Sequence, residues 1–299
     1  MSSLAQSYHL VFPLLASLLF VGGLLFLKRA TLAGTNPWTV SLVANYWGAA
    51  LFSLFWFTSE MPVPWELIWQ PALVAVFYIL GQIGTFSAIN YGDVSIAAPL
   101  FGIKVLLVAV LLTVVGGTGL PAAIWIAAVM ATAGIALVQW MGSGKHDRVW
   151  YTVLSAFGAS LSFSIFDVLI QTFSASEKWS TGRFLPIMFW FVGAYTTVFF
   201  LGLQREKFAD RLVRRSLILG GMLIAAQAIC IVYALSTFGD AARVNVVYSM
   251  RGIWGVLLSW AMALIFGGSE AELGRRTMLT RLGGATLITT SVVIAILFG

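Results

Sequence analysis

Charge is scarce in this sequence. Only 9% of its 299 residues are Asp, Glu, Lys or Arg, whereas 60% are hydrophobic. Soluble domains carry about 25% charged residues, so this composition excludes an ordinary soluble protein and indicates a polytopic membrane protein. The formal net charge of +6 is therefore interpreted as information about membrane topology rather than as affinity for nucleic acid.

Residues that form disulfides or bind metals are also rare. The single cysteine, Cys230, lies in an apolar run and is interpreted as a small buried hydrophobe. The two histidines, His9 and His146, stand near span ends, and no His, Cys or Glu cluster has the spacing of a metal site. No P-loop is present. The sequence predicts neither an enzyme nor an ATP-driven pump, and it predicts no cofactor.

Long hydrophobic runs are abundant, and about ten of them are long enough to cross a ~30 Å hydrocarbon layer as helices. We predict an all-α integral membrane protein with ten spans, numbered 1 to 10 in chain order. They are residues 9–27, 37–58, 67–90, 94–115, 121–141, 149–173, 184–203, 215–238, 241–266 and 279–298. The residues before His9 include no Lys or Arg, so the basic region of a cleaved signal peptide is lacking and the first run is expected to be a retained span.

Basic residues outside the span centres predict the orientation in the membrane. Only Lys178, Arg183 and Arg243 lie on the side of the even-numbered connections. The residues that follow spans 1, 5, 7 and 9 are Lys28, Arg29, Lys145, Arg148, Arg205, Lys207, Arg211, Arg214, Arg215, Arg275, Arg276 and Arg281. The positive-inside rule then places the odd-numbered connections in the cytoplasm and both termini outside. We expect a bacterial cytoplasmic (inner) membrane protein.

One pattern occurs twice in the chain. Tyr91-Gly92-Asp93 precedes an apolar helix with Lys104, and Phe238-Gly239-Asp240 precedes an apolar helix with Arg251. Each cation follows its aspartate by eleven residues, about 16 Å of helix, which is near the middle of the hydrocarbon layer. Both aspartates suit the N-cap position of the helix that follows, and a role in gating is the alternative.

The matched segments divide the chain into two halves of five predicted spans, residues 1–143 and 144–299. Because five is an odd number, the two copies must have opposite orientations in the membrane. Inverted repeats are a frequent construction of secondary transporters, which bind substrate near the midplane between the repeats.

The segments Ser87–Leu100 and Tyr233–Ala242, together with ten spans in two halves, resemble the drug/metabolite transporter superfamily, EamA type. The resemblance implies alternating access, a central cavity between the halves, and gates near hairpins 3–4 and 8–9. It also implies an anionic substrate, because basic residues in spans 4 and 9 are associated within the superfamily with members that carry phosphorylated or otherwise anionic metabolites. One departure is the acidic connection from Glu60 to Glu66, where many relatives place positive charge. The family's usual orientation is therefore not carried over.

Three charged residues, Lys104, Asp167 and Arg251, fall well within predicted spans. Ionisable groups at that depth are costly and mark candidate functional sites. The functional interpretation is that the two cations receive an anion, since arginine offers a planar fork and lysine a point charge. The structural alternative is an ion pair with Asp167 that neutralises buried charge.

Asp167 belongs to a polar stripe with Ser160, Ser164 and Gln171 along one face of span 6. The stripe either makes interhelical hydrogen bonds or lines a cavity in which Asp167 binds a proton or pairs with a cation. Aromatic residues also precede each cation by three positions, and they either pack or stack on it. The full candidate substrate site is Lys104, Arg251, Asp167, Tyr248, Ser164, Gln171, Phe101 and Gln82.

Three functions fit this sequence. The first is a secondary transporter of a small organic anion. The second is a proton-coupled exporter of amino acids or amphiphilic drugs, with Asp167 as the coupling carboxylate. The third is a membrane subunit or lipid-handling protein that does not transport. The expected partners are a small-molecule substrate, the lipid bilayer and protons as a candidate coupling ion, with no nucleic acid, in a monomer or homodimer.

Overall fold

The computed structural model describes residues 8–92, 94–115, 117, 119–139, 148–257 and 275–299. These residues form helices joined by short turns, and no strand occurs among them. The α-helices are α1 (Val11–Leu32), α2 (Pro37–Phe52), α3 (Trp69–Asn90), α4 (Val94–Leu100), α5 (Lys104–Val115), α6 (Ala122–Val138), α7 (Val149–Ser174), α8 (Thr181–Tyr195), α9 (Arg211–Phe238), α10 (Ala241–Tyr248), α11 (251–257) and α12 (Arg275–Phe298).

Short 3₁₀ helices extend or connect these elements. Within the described ranges they are Tyr8–Leu10, Ser53–Thr58, Trp65–Leu67, Phe101–Ile103, Thr196–Gly202 and Arg205–Phe208. Most of them continue an α-helix in a tighter winding, as happens commonly at helix ends.

The helices agree with the predicted spans as far as the structure describes them. Eight helical stretches of the described residues are long and apolar enough to cross a membrane, and they correspond to spans 1–4, 6–8 and 10. They are Tyr8–Leu32, Pro37–Thr58, Trp65–Asn90, Ile96–Val115, Val149–Ser174, Thr181–Gly202, Arg211–Phe238 and Leu279–Phe298. The shorter α6 coincides with predicted span 5, and predicted span 9 is described only as far as residue 257. The all-helical class is confirmed, and the count of ten stays a prediction.

The helices form two compact units. The first unit contains residues up to Leu14, Leu80–Val168 and Asp240–Gly299, and the second contains Leu15–Ile79 and Leu169–Gly239. Each unit draws residues from both predicted halves of the chain. The halves 1–143 and 144–299 were defined by sequence repetition rather than by compactness, so they stay a prediction.

The first unit is built on the contact between α6 and α12, which is the most extensive contact between described helices. Two glycines allow the two backbones to approach. A Cβ on Gly134 would lie 2.8 Å from the Gly284 carbonyl oxygen, and a Cβ on Gly284 would lie 2.7 Å from the Gly134 carbonyl oxygen. Small residues at such contacts let membrane helices pack closely. In the same unit, α10 packs against α5.

The second unit is built on α9 packed against α2, with α8 also packed against α2. The rings of Phe52 and Phe189 stack at 3.7 Å and are both buried. Nearby, the buried amide of Asn45 donates a 2.8 Å hydrogen bond to the Thr196 hydroxyl. These contacts bury large apolar side chains of the unit and give the Asn45 amide a hydrogen-bond partner, which the hydrocarbon of a bilayer could not supply.

Hydrogen bonds join pairs of connections at both ends of the second unit. At one end, the Asn36 amide donates to Gln204 Oε1 at 2.7 Å. At the other end, the Ser59 hydroxyl donates to Ser180 Oγ at 2.7 Å, and Arg183 Nε donates to the Met61 carbonyl at 2.8 Å. The connections after spans 1 and 7 therefore meet at one end, and those after spans 2 and 6 meet at the other, as alternating spans require.

Asp240 caps α10, as the sequence predicts, by accepting a hydrogen bond from the Arg243 amide. The other predicted cap, Asp93, lies outside the described residues. Asp240 Oδ2 also pairs with His9 Nε2 at 2.9 Å and accepts a hydrogen bond from Arg243 Nε. Burial raises the pKa of the Asp240 carboxyl, but the His9 hydrogen bond and the Arg243 charge lower it further, and the net pKa lies below its ordinary value of 3.8. The ionised carboxylate therefore stabilises this end of the first unit.

The close contact between α6 and α12 makes Gly284 sensitive to substitution. We expect Gly284→Ala to lower the free energy of unfolding by about 1–3 kcal/mol, because the added methyl group meets backbone atoms that cannot turn aside. Gly283→Ala is a matched control on the same helix, since nothing lies within 4 Å of its added Cβ. Thermal unfolding of both purified variants in detergent measures the difference. Equal melting temperatures would contradict the proposed packing.

The depressed pKa of Asp240 predicts a pH dependence of stability. Asp240→Asn keeps a capping acceptor but loses the charge, so we expect a loss of on the order of 1–2 kcal/mol near neutral pH. A group with a lowered folded pKa contributes stability above its unfolded pKa and loses it as the pH falls through the folded pKa. The gap in melting temperature between wild type and variant should therefore narrow as the pH falls below about 4. Glu177→Gln, at an exposed position, serves as a control, and a gap that widens in acid would contradict the assignment.

Candidate functional site

Each of the two matched helices is interrupted immediately before its cation. In the first, α4 gives way to the 3₁₀ turn Phe101–Ile103, and α5 begins at Lys104. In the second, after α10, the Gly252 amide donates to the Ser249 carbonyl at 3.0 Å, which is a 3₁₀ hydrogen bond, and α11 begins at Arg251. Short 3₁₀ stretches within a helix often mark a functional hinge or a strained sequence. The equal spacing of the two cations is visible in the sequence, whereas the sequence analysis did not predict these interruptions.

Hydroxyl groups of α7 bind the backbone of the first interruption. Ser160 Oγ donates to the Leu100 carbonyl at 3.3 Å, and Ser164 Oγ lies 3.2 Å from the Lys104 carbonyl and 2.7 Å from the Ser160 carbonyl. Both serines are buried. Two residues of the predicted polar stripe therefore make interhelical hydrogen bonds where the α-helix is interrupted. The Ser164 side chain contacts the backbone carbonyl of Lys104.

Lys104 and Asp167 form a buried ion pair. Lys104 Nζ lies 2.7 Å from Asp167 Oδ2, and the Asp167 side chain is 1% exposed while that of Lys104 is 15% exposed. The ammonium group also stands 5.9 Å from the centre of the Phe163 ring. The pairing that the sequence offered as the structural alternative is thus present. Because removal of either charge would leave the other unpaired and buried, the pair ties α5 to α7.

Asn245 completes the environment of the Asp167 carboxylate. Its Nδ2 donates to Asp167 Oδ2 at 2.8 Å and to the Ala241 carbonyl at 3.0 Å, and the residue is 3% exposed. Sequence reasoning missed this residue. The available signal was that Asn245 is the one side-chain amide in predicted span 9, six positions before Arg251. Through this bond α10 is also held to α7.

Arg251 brings the second cation to the same group of residues. Its guanidinium lies 4.4 Å from the centre of the Tyr248 ring, a cation–π contact. Tyr248 lies on α10, the helix that carries Asn245 and packs against α5. Tyr248 is buried. The three charged residues of the predicted site, Lys104, Asp167 and Arg251, therefore lie in one cluster within the first unit, with one formal positive charge in excess.

The structure also describes Phe101, Gln82 and Gln171, the remaining residues of the predicted site. Phe101 is half-buried and packs against a cluster of small residues that includes Ala97 and Ala156. Gln82 is half-buried on α3 in the first unit, and Gln171 is half-buried on α7 but belongs to the second unit. Phe101 therefore has a packing contact, while the roles of Gln82 and Gln171 stay predictions.

Residues 8–140, which contain α1 to α6, match the model of the EamA-like transporter family. The resemblance to drug/metabolite transporters is thereby confirmed. With its long apolar helices, the chain is an integral membrane protein.

The fold of the whole chain also has a solved counterpart. A structure titled "Crystal structure of protein" is similar with a TM-score of 0.73, over 97% of this chain and 96% of that chain, at 14% sequence identity. Identity this low supports a shared fold and nothing finer. No curated protein sequence matches the chain.

The EamA-like region contains only part of the charged cluster. Lys104 and the turn Phe101–Ile103 lie inside residues 8–140, whereas Asp167, Asn245 and Arg251 follow them in the chain. The family match therefore covers the first interrupted helix, and the other members of the cluster are known only from contacts within the structure.

The buried ion pair predicts strong coupling between its partners. We expect Lys104→Met or Asp167→Asn alone to cost about 3–5 kcal/mol of stability, because each leaves a buried group without its counter-charge. The double variant should be more stable than the sum of the two losses implies, by about 1–3 kcal/mol. A double-mutant cycle from unfolding in detergent measures this coupling energy.

A second cycle supplies the control for this coupling. Lys28 is exposed, so Lys28→Met combined with Asp167→Asn should give additive losses. Additive losses in the Lys104 and Asp167 cycle as well would show that the pair contributes no coupling energy.

Proposed function

We propose that this EamA-like protein is a secondary active transporter that moves a small organic anion by alternating access. The observation that carries the proposal is the cluster of Lys104, Asp167 and Arg251 at two interrupted helices. Substrate sites in secondary transporters are typically formed by interrupted helices, and charged groups within membrane spans mark candidate functional sites. The excess of one positive charge in the cluster favours an anion over a cation.

Lys104 and Arg251 are the proposed anion-binding groups. Arg251 offers a guanidinium fork that suits carboxylate or phosphate, and the buried Tyr248 ring limits where that fork points. Lys104 is the first residue of α5, so the positive end of that helix adds to its charge. Binding of a proton to Asp167 would release Lys104 to the substrate, which couples anion uptake to protons.

Alternating access is proposed to follow from two inverted repeats, residues 1–143 and 144–299. Equivalent helices of the repeats contact each other in the first unit, since α5 packs against α10 and α6 against α12. This arrangement supports the repeat, because inverted halves meet around a shared axis. Hairpins 3–4 and 8–9 are the proposed gates, and the central cavity is proposed to lie between the halves.

The proposed orientation has the odd-numbered connections in the cytoplasm and both termini outside a bacterial cytoplasmic membrane. The basic connections after spans 1 and 7 are hydrogen-bonded to each other, which supports a common side for them. We propose that the protein works as a monomer or homodimer, with no cofactor and no nucleic acid partner.

A second candidate function is a proton-coupled exporter of amino acids or amphiphilic drugs. The observation that favours it is that Lys104 and Asn245 both bind the Asp167 carboxylate, so that Lys104 is already paired within the protein. In this scheme the cations are structural, and Asp167 alone carries the coupling proton.

A ligand screen tests the anion site. We expect a phosphorylated or carboxylate metabolite from a mixed panel to raise the melting temperature of the purified protein, because a ligand that binds only the folded state stabilises it. Arg251→Gln should weaken that ligand's affinity roughly ten- to hundredfold, since one or two charge-assisted hydrogen bonds are lost. Lys178→Gln, which removes an exposed cation, should leave the affinity unchanged.

Uptake into proteoliposomes separates the two candidate functions. If the anion proposal holds, Arg251→Gln loses uptake of the ligand found in the screen while Asp167→Asn changes its dependence on a pH gradient. Full uptake by Arg251→Gln, with stabilisation only by cationic or amphiphilic compounds, would favour the exporter and reject the anion site.

A further inference from the structure

The second unit gathers the basic residues of two distant connections at one end. Lys207 Nζ donates to the Ala33 carbonyl at 2.6 Å, and Asn36 Nδ2 donates to the Gly202 carbonyl at 2.7 Å. The Gln204 amide in turn donates to Thr39 Oγ1 at 3.0 Å. These bonds hold the chain after α1 against the chain before α9. We call the combined surface, residues 28–36 and 202–215, the basic end.

The basic end carries a strong excess of positive charge. Its only acidic residues are Glu206 and Asp210, and Asp210 Oδ1 is engaged as the N-cap acceptor of α9. All of its cations are exposed except Lys207, which is half-buried. The cations are Lys28, Arg29, Arg205, Lys207, Arg211, Arg214 and Arg215, so seven positive and two negative charges leave a net charge of +5. No ion pair is formed by these cations within the described part of the chain.

Apolar side chains are exposed among these charges. Leu32 is 78% exposed, Leu212 is 65% exposed, and Leu201, just before the basic end, is 93% exposed. Both α1 and α9 belong to helical stretches that are apolar enough to cross a membrane. Leucines beside arginines at the ends of such helices fit the level where hydrocarbon meets phospholipid headgroups, because the apolar groups face acyl chains while the cations reach outward.

The opposite end of the second unit lacks this excess of positive charge. Its connections contain Glu60, Glu66 and Glu177 against Lys178 and Arg183, which leaves a net charge of −1. Arg183 is also engaged there, since its guanidinium stacks on the Trp56 ring at 4.1 Å and donates to backbone carbonyls. Within the second unit, the excess of positive charge therefore lies at the basic end.

We propose that the basic end binds the headgroups of anionic phospholipids in the adjoining leaflet. Clustered Lys and Arg beside membrane helices attract anionic lipids, and guanidinium groups bind phosphate through paired hydrogen bonds. Because the surface is composed of two connections, a bound lipid links α1 to α9. The basic end and the charged cluster at Lys104 share no residue, so this inference is independent of the proposed transport function.

Lipid-dependent unfolding tests the proposal. The purified protein is heated in mixed micelles that contain either dioleoyl phosphatidylglycerol or dioleoyl phosphatidylcholine. We expect the anionic lipid to raise the melting temperature and the zwitterionic lipid to have little effect. In Arg211→Gln/Arg215→Gln the apparent affinity for phosphatidylglycerol should be roughly tenfold weaker or more, and high salt should weaken the wild-type response.

Two control variants test whether the response depends on positive charge at the basic end. Arg211→Lys/Arg215→Lys keeps the charge and should retain most of the response, and Lys178→Gln, at the opposite end, should retain all of it. If Arg211→Gln/Arg215→Gln does not fold in phosphatidylcholine, Lys28→Gln/Arg205→Gln tests the same surface through two other cations of the basic end. Equal responses to the two lipids, or an undiminished response in the Gln variants, would overturn the proposal.

Inorganic phosphate and glycerol 3-phosphate distinguish a lipid surface from a site for free anions. Both probes lack acyl chains, so we expect neither to raise the melting temperature through the basic end at millimolar concentration. A response to either probe that disappears in Arg211→Gln/Arg215→Gln would assign the surface to a soluble phosphate compound and reject the lipid.

Discussion

The need to bury the charge of Lys104 shapes much of the first unit. An isolated ammonium group is costly to bury in a low-dielectric interior, and its attraction to a counter-charge compensates only when the geometry is good and the remaining polar atoms are satisfied. Asp167 meets this condition at 2.7 Å, and Asn245 adds a second donor to the same oxygen. Three helices, α5, α7 and α10, are therefore fixed by a single carboxylate.

The first interrupted helix is stabilised by residues next to Asp167 on α7. A change from α to 3₁₀ winding alters which carbonyl each amide reaches, so polar backbone atoms need partners from outside the helix. At the first interruption, Ser160 and Ser164 bind the carbonyls of Leu100 and Lys104. The serines and Asp167 share one face of α7, so that face serves both the backbone and the charge of the same turn.

The sequence predicted much of the fold because hydrophobic run length reports membrane spans directly. It also predicted the Asp240 cap, which depends on local spacing. It did not predict the interruptions, because hydropathy is insensitive to the hydrogen-bond pattern within an apolar helix. Pro99, which lacks an amide donor, hints at the first one, but no proline stands near Arg251. The choice of Lys104 as the partner of Asp167, and the contribution of Asn245, depend on packing between distant segments.

The ion pair between Lys104 and Asp167 is compatible with the proposed anion site, because the carboxylate balances a buried cation when no substrate is bound. Two unpaired cations at membrane depth would destabilise the empty protein, so an anion site of this kind requires an internal counter-charge when no substrate is present. Asp167 supplies that charge to Lys104, and the Arg251 guanidinium stands against the face of Tyr248. In the proposed site, an entering anion would compete with a carboxylate that is already in place, and the affinity for substrate would be the difference between two similar interactions. Such a balance would permit release of the anion as well as binding.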